Sequence, residues 1–223
     1  MLYLEKNIIM NYDNKPSHYY NKVRYEMLNY LPKEAKKILE IGCGNGSFIN
    51  EIKKNRQGEF WGIELMPNEA EEAKLILDKV LVGLCENFID ELPNNYFDAI
   101  YFNDVLEHMF DPGSYLKLLK SKLAANGVII SSIPNMRYHN ELFKLLIKKD
   151  WKYTGYGIMD FTHLKFYTQK SIRRLYEEAG YTVLTNEGIN RTKSIKPYLY
   201  NIPFLFSQMD IFYLQYATVA TVK

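Results

Sequence analysis

Short apolar runs alternate with amphipathic stretches along most of the chain. Ile38, Leu39 and Ile41 form the compact apolar run that a strand buried on both faces requires, and Gly42, Gly44 and Gly46 follow at once. Comparable runs recur at Glu59–Glu64, at Lys79–Val82, at residues 97–102 and at residues 128–132. Between them the period changes to that of a helix. Residues 17–31 place Tyr20, Val23, Met27, Leu28 and Leu31 at helical spacing, with Ser17 as N-cap and Pro32 as the stop. Helices are also predicted over residues 47–55 and 67–77, and from Asp111-Pro112 to about Leu123, the last closed by Asn126-Gly127. Near the C-terminus Thr168 caps a helix with Ile172, Leu175, Tyr176 and Ala179 on one face, and Gly180 ends it. Residues 181–185 and 212–222 are then strands, placed side by side in the sheet. Strands alternating with helices predict the α/β class and a doubly wound sheet.

The alternation breaks over residues 136–167, where a helix at 138–149 leads into a stretch rich in aromatics, glycine and polar groups. Long irregular segments in compact domains are often lids or binding loops. We expect one domain over residues 1–223, with residues 17–31 as a capping helix and residues 136–167 as a lid or acceptor insertion. Lys and Arg number 28 against 26 Asp and Glu, a formal net charge of +2. That balance disfavours a nucleic-acid partner. The first residues carry charges where a signal peptide needs an apolar core, and no run approaches the ~18 apolar residues of a membrane span, so a cytoplasmic protein is expected. Cys43 and Cys85 lack metal-ligand spacing and read as small packing residues. Neither histidines nor carboxylates cluster at ligand spacing, so no metal is expected. The 19 tyrosines reflect a composition rich in Asn, Lys and Ile as much as any pocket. The aromatic stretch 198–206 is open to four uses: core packing, an acceptor pocket, a homodimer surface or a membrane-facing patch.

Glycines at the spacing of Gly42, Gly44 and Gly46 let the backbone bend sharply and let a ligand approach the main chain at the start of a helix. Glu64 ends the second strand, ~20 residues beyond that turn, where doubly wound folds place the carboxylate that accepts ribose hydroxyls. Arg24, one turn from Tyr20, is placed to meet a ligand carboxylate. A dinucleotide fold shows Gly-x-Gly-x-x-Gly, whereas here Glu40 precedes Gly42-x-Gly44-x-Gly46. With Glu64, Phe97-Asp98 and Asp104-Val105-Leu106-Glu107-His108, this resembles the class I S-adenosylmethionine-dependent methyltransferases over about two thirds of the chain. The resemblance implies a Rossmann-like, mostly parallel seven-stranded sheet with an antiparallel last strand and helices on both faces. It implies S-adenosyl-L-methionine as cofactor, with Glu40 on its ammonium and the turn residues Gly42, Cys43, Gly44 and Gly46 receiving its carboxylate. Glu64 would hold the ribose diol, and Leu65, Met66 and the segment from Leu84 to Asn87 the adenine. Asn103 and Asp104 would complete the site, with Tyr20 and Arg24 closing over it. Many relatives place an Asp after the third strand, where this chain has Gly83-Leu84-Cys85-Glu86, so Glu86 or backbone groups would bind the adenine amino group.

Residues 131–137 and 157–168 are similar to a bacterial subgroup of these enzymes associated with surface-polysaccharide synthesis. The resemblance implies methyl transfer to a small-molecule acceptor, first a hydroxyl of a sugar or glycan precursor. Methylation of a phenol, a quinone precursor or an amine is the alternative, and a catalytically silent donor-binding module is another. Hydroxyl acceptors need a base, and a neutral histidine suits that task. His163 and His108 are the candidates; His18 and His139 have less support.

Overall fold

The computed structural model describes residues 23–222. Among these residues seven strands form one sheet in the order β3-β2-β1-β4-β5-β7-β6. They are β1 (Lys37–Ile41), β2 (Glu59–Glu64), β3 (Lys79–Val82), β4 (Phe97–Asn103), β5 (Leu123–Pro134), β6 (Tyr181–Arg191) and β7 (Tyr213–Val222). The first five are parallel to their neighbours, and β7 lies antiparallel between β5 and β6. Helices α1 (Ser47–Lys53), α2 (Pro67–Ala73), α3 (Pro112–Leu119), α4 (His139–Leu146), α5 (Gln169–Glu178) and α6 (Lys196–Asn201) connect or flank the strands.

Strand periodicity explains the two layers. In β1 and β4 successive side chains point to opposite faces, and both faces are buried. Leu39, Ile41, Ile100 and Phe102 pack on one face with Leu116 of α3 and Tyr176 of α5. Ile38, Ala99 and Tyr101 pack on the other with Phe48, Ile49 and Ile52 of α1. Each such aliphatic or aromatic side chain contributes roughly 1.5–3 kcal/mol on burial.

The sheet order reverses between β1 and β4, so the connections leaving their carboxyl ends diverge and open a crevice there. Two of the predicted helix caps hold. Asp111 accepts the Ser114 N–H with Pro112 at the first helical position, and Thr168 and Ser171 form a reciprocal capping box.

Several boundaries differ from expectation. Of the helix expected over 17–31, the described part is a 3₁₀ turn at Tyr25–Tyr30 whose Met27 is fully buried; its first residues, with Ser17 and Tyr20, lie outside the described residues. Asn126-Gly127 does not close α3. It forms an irregularity inside β5, where the pairing shifts from Phe97↔Leu123 to Ala99↔Val128 and Asn126 is left-handed. A left-handed Asn followed by Gly serves a helix end or a strand bulge equally, and the neighbouring strand decides which. β6 runs on to Arg191 because it is an edge strand: Asn186 and Glu187 are tolerated there, so the end of the apolar run does not mark its end. α4 is shorter than predicted, and α6 was not predicted at all.

Residues 136–167 are ordered on the sheet. The insertion is closed at its base by the Asn135↔Tyr167 bridge and by Met136 N–H donating to the Tyr167 carbonyl at 2.8 Å. Ile158, Met159, Asp160, Thr162 and His163 are buried, whereas Trp151, Tyr153 and Tyr156 are exposed.

Candidate active site

The turn after β1 is held back onto β2, with Gly42 and Cys43 N–H groups both donating to the Ile63 carbonyl, at 2.8 and 3.2 Å. Gly42 has φ +71°, and a Cβ there would lie 2.6 Å from Val105 Cγ2; Gly46 has φ +83°, and a Cβ would lie 2.6 Å from Leu77 Cδ1. Both conformation and space therefore demand glycine. Cys43 is a buried packing residue against Gly62, and burial, with Glu40 and Glu64 nearby, pushes its thiol pKa well up.

Glu40 and Asn103 come from the two strands that flank the reversal. Asn103 Nδ2 donates to Glu40 Oε1 at 3.0 Å. Glu40 is 2% exposed, and its Oε2 has no hydrogen bond among the described residues. Burial pushes its pKa from 4.5 to about 8; Asn103 opposes the shift and Glu64 adds to it. An unsatisfied carboxylate oxygen in a buried cleft is costly unless a cation completes it, and the donor's ammonium fits that need.

Glu64 also faces the turn. Its Oε2 accepts Gly44 N–H and its Oε1 accepts Met66 N–H, both at 2.8 Å. Burial raises its pKa in spite of these backbone donors. Each oxygen retains a second lone pair, so the carboxylate can still accept from a diol. Leu65 and Met66 follow directly, half-buried and buried. Glu86 does not point into this cluster: it is exposed, accepts from Cys85 Sγ at 3.2 Å and lines a shallow outer hollow with Phe110 and Tyr115.

Asp104 is left-handed, with φ +56°. It accepts Ser132 Oγ–H at 3.0 Å, also accepts from Gln215, and forms an ion pair with Arg24. Arg24 further donates to Gln215 Oε1 at 2.9 Å. These bonds tie the segment before β1 to the tips of β4, β5 and β7, so Arg24 has a protein carboxylate beside it as well as the crevice.

Glu107, His108 and His163 form a second cluster. Their ligand atoms all lie within 4.8 Å of one another. His163 Nδ1 is 2.8 Å from the Ile158 carbonyl and His108 Nδ1 is 3.1 Å from the Thr162 carbonyl. Such carbonyls place the proton on Nδ1 and leave Nε2 as the basic atom. The rings meet edge-on at 4.6 Å, and His163 Nε2 is 4.0 Å from Glu107 Oε1. Glu107 is 1% exposed, and neither of its oxygens has a hydrogen bond among the described residues. Burial pushes its pKa to about 8, with Arg24 opposing and Asp160 adding. The insertion makes this cluster: Leu164 and Lys165 N–H groups donate to the Glu107 carbonyl at 2.9 and 3.0 Å. Asp160 accepts both the N–H and the hydroxyl of Thr162. Two imidazoles and a carboxylate can relay a proton, and the same donor set could hold a divalent cation.

Glu107 lies in the Asp104–His108 motif, and no local pattern assigns it a role because its partner His163 is distant in the chain. His139, by contrast, is buried beside Tyr138 and Tyr200 in the α4–α6 contact.

A mostly parallel seven-stranded sheet with an acidic glycine turn at its reversal defines a class I S-adenosylmethionine-dependent methyltransferase. The chain belongs to the family described as "Methyltransferase domain", whose profile matches residues 13–186, and S-adenosyl-L-methionine is its cofactor. Among relatives, the ubiquinone biosynthesis O-methyltransferase of Aeromonas salmonicida (strain A449) is 28% identical over 189 residues, or 79% of this chain and 76% of that protein. The protein of the same name from Histophilus somni (strain 2336) is 31% identical over 143 residues, 57% of this chain and 58% of that protein. The chain thus matches little more than half the length of the latter. The fold resembles the SAM-dependent methyltransferase from Archaeoglobus fulgidus, with a TM-score of 0.68, 17% identity and coverage of 88% of this chain and 90% of that one. One from Aquifex aeolicus has a TM-score of 0.59 at 16% identity, with 98% of each chain covered.

Proposed function

We propose that this chain is an O-methyltransferase acting on a small hydroxylated acceptor bound between the glycine turn and the insertion of residues 136–167. The supporting observation is the Glu107–His108–His163 cluster beside the crevice, a buried base set that an amine acceptor would not need. The relatives named ubiquinone biosynthesis O-methyltransferases put a phenolic hydroxyl first. The sugar hydroxyl read from residues 131–137 and 157–168 comes second.

Glu40 would hold the ammonium of S-adenosyl-L-methionine, Glu64 its ribose diol, and Leu65 and Met66 its adenine face. The bound donor supplies an electrophilic methyl group. Asn103 positions Glu40, and Asp104 with Arg24 closes the segment before β1 over the crevice. Glu86 would reach the adenine only by turning from its present outward position. Orientation of the two reactants is worth up to ~7–11 kcal/mol in such displacements. His163 Nε2 takes the acceptor proton as the oxygen attacks, and Glu107 balances the imidazolium that results. His108 packs on His163 and holds its ring.

Transfer of labelled methyl to two acceptor panels, catechols and hydroxybenzoates against nucleotide sugars, tests the reading. Turnover on the phenols is expected, lowered at least ~10²-fold in His163→Ala. Turnover only on nucleotide sugars would move the acceptor class. Turnover on amines that His163→Ala leaves unchanged would remove the base.

A further inference from the structure

The surface furthest from any assigned role lies on the last crossover, between β6 and β7. Ile202, Pro203, Phe204, Leu205 and Phe206 are consecutive and all exposed, with Leu205 at 89%. A chain that merely needed a connection would not place these side chains in water.

This turn is built, not frayed. Leu205 and Phe206 are both left-handed, with φ +49° and +59°, a conformation that bulky side chains adopt only when their surroundings impose it. Asn201, fully buried, imposes it here. Its amide donates to the carbonyls of Pro197 and Gln208, its side-chain oxygen accepts Gln208 N–H at 2.9 Å, and its own carbonyl accepts Phe206 N–H. Buried hydrogen bonds thus hold the apolar side chains outward.

The patch continues onto α4. Tyr200 stacks on Phe143 at 5.8 Å and 11°, and one turn beyond Phe143 lie Leu146 and Ile147, 68% and 66% exposed. Tyr198 and Leu199 of α6 are exposed as well, Tyr198 packing edge-on against Phe212. Lysines outnumber acids at the margin. Lys193 and Lys196 precede the turn, and no carboxylate occurs between Glu187 and Asp210. Across the contact Lys148, Lys149 and Lys152 surround the end of α4, with Asp150 as the one acid among them. A chain of net charge only +2 therefore gathers lysines around this apolar surface.

We propose that this face seats the protein on the surface of a bilayer carrying anionic lipid headgroups. The Ile202–Phe206 turn enters the interface, and the lysines that follow α4 and those at the start of α6 meet the phosphates. Apolar side chains with a lysine rim are the composition of interfacial membrane contacts. A second copy of the chain would bring lysine against lysine. No helix among the described residues is long and apolar enough to cross a membrane, so the contact is peripheral.

Flotation with phosphatidylcholine vesicles, with and without about one third phosphatidylglycerol, tests this. Wild type should float with the anionic vesicles, release at high salt and stay behind with the neutral ones. The triple variant Phe204→Ser, Leu205→Asn, Phe206→Asn keeps residues that tolerate the left-handed turn, and should bind at least tenfold more weakly. Lys193→Glu with Lys196→Glu should do the same. Both variants should bind S-adenosylhomocysteine as wild type does, which shows that they fold. No flotation of wild type, or equal flotation of the triple variant, would overturn the proposal. So would a wild-type dimer that the triple variant dissociates without any vesicle binding, since the surface would then belong to a second copy.

Discussion

Glu40 gives the most direct test of how the proposed donor site is built. Its native pKa of about 8 lies above the ordinary 4.5, so the folded chain holds this proton when the unfolded chain has lost it. Between those values stability falls as pH rises, by about 1.4 kcal/mol per pH unit. The carboxyl is fully buried, so little solvent screening reduces the effect. It amounts to about 3 kcal/mol at neutral pH and about 5 kcal/mol above pH 8. Glu40→Gln removes the titration at nearly constant shape. Asn103 Nδ2 can still donate to the new amide oxygen, and Asn103 Oδ1, which has no hydrogen bond among the described residues, can accept from its nitrogen. Urea unfolding followed by circular dichroism at about pH 5, 7 and 8.5 should show variant and wild type nearly equal in acid. The variant should be more stable by several kcal/mol in base, a gain of roughly 10 °C or more in Tm for a chain of this size. Calorimetry should meanwhile show S-adenosylhomocysteine bound roughly 10–100-fold more weakly, the loss of one charge-assisted hydrogen bond. A variant less stable than wild type at pH 8.5, or a difference constant across the range, would refute the account of Glu40 as a strained carboxylate awaiting a cation.

His163→Ala should lower kcat by ~10²–10⁴-fold while leaving S-adenosylhomocysteine affinity within a few-fold; a parallel loss of affinity would make the residue structural. Dialysis against EDTA should not change turnover, and activity lost there but restored by Mg²⁺ would reassign Glu107, His108 and His163 as metal ligands. Gly42→Ala must accept both φ +71° and a 2.6 Å contact with Val105, so thermal unfolding should show a loss of about 2–4 kcal/mol. Asn135→Ala strips the donor from the carbonyls of Asp210 and Tyr213 and should cost a similar ~2–4 kcal/mol while sparing donor binding.

Most strands could be read from local pattern, since an apolar run ending in a glycine turn needs no distant information. β2 and β3 have the predicted bounds, and the caps at Asp111 and Thr168 follow from residues within one helical turn. Misreadings arose where a neighbour decides. Asn126-Gly127 carries the same local signal at a helix end as inside a strand, and only pairing with β4 makes it part of β5. The polar half of β6 is a strand because β7 lies beside it. α6 contains Pro197 and Asn201, residues that argue against a helix until the first falls in its opening turn and the second becomes a buried clamp.

The groups around the glycine turn were the more legible part of the candidate site. Glu40, the three glycines and Glu64 lie within one β-α-β unit, where turn chemistry and strand ends set their positions. Sequence alone therefore determined the doubly wound class, the glycine turn and the carboxylates around it. Tertiary structure decided what these groups meet. It bonded Asn103 to Glu40 across the sheet reversal, paired Arg24 with Asp104, turned Glu86 outward and brought His163 to Glu107 and His108. Those contacts join segments far apart in the chain, and they exist because the sheet pairs β1 with β4 and the insertion folds back onto the Glu107 carbonyl. No period or spacing along a single chain encodes that return.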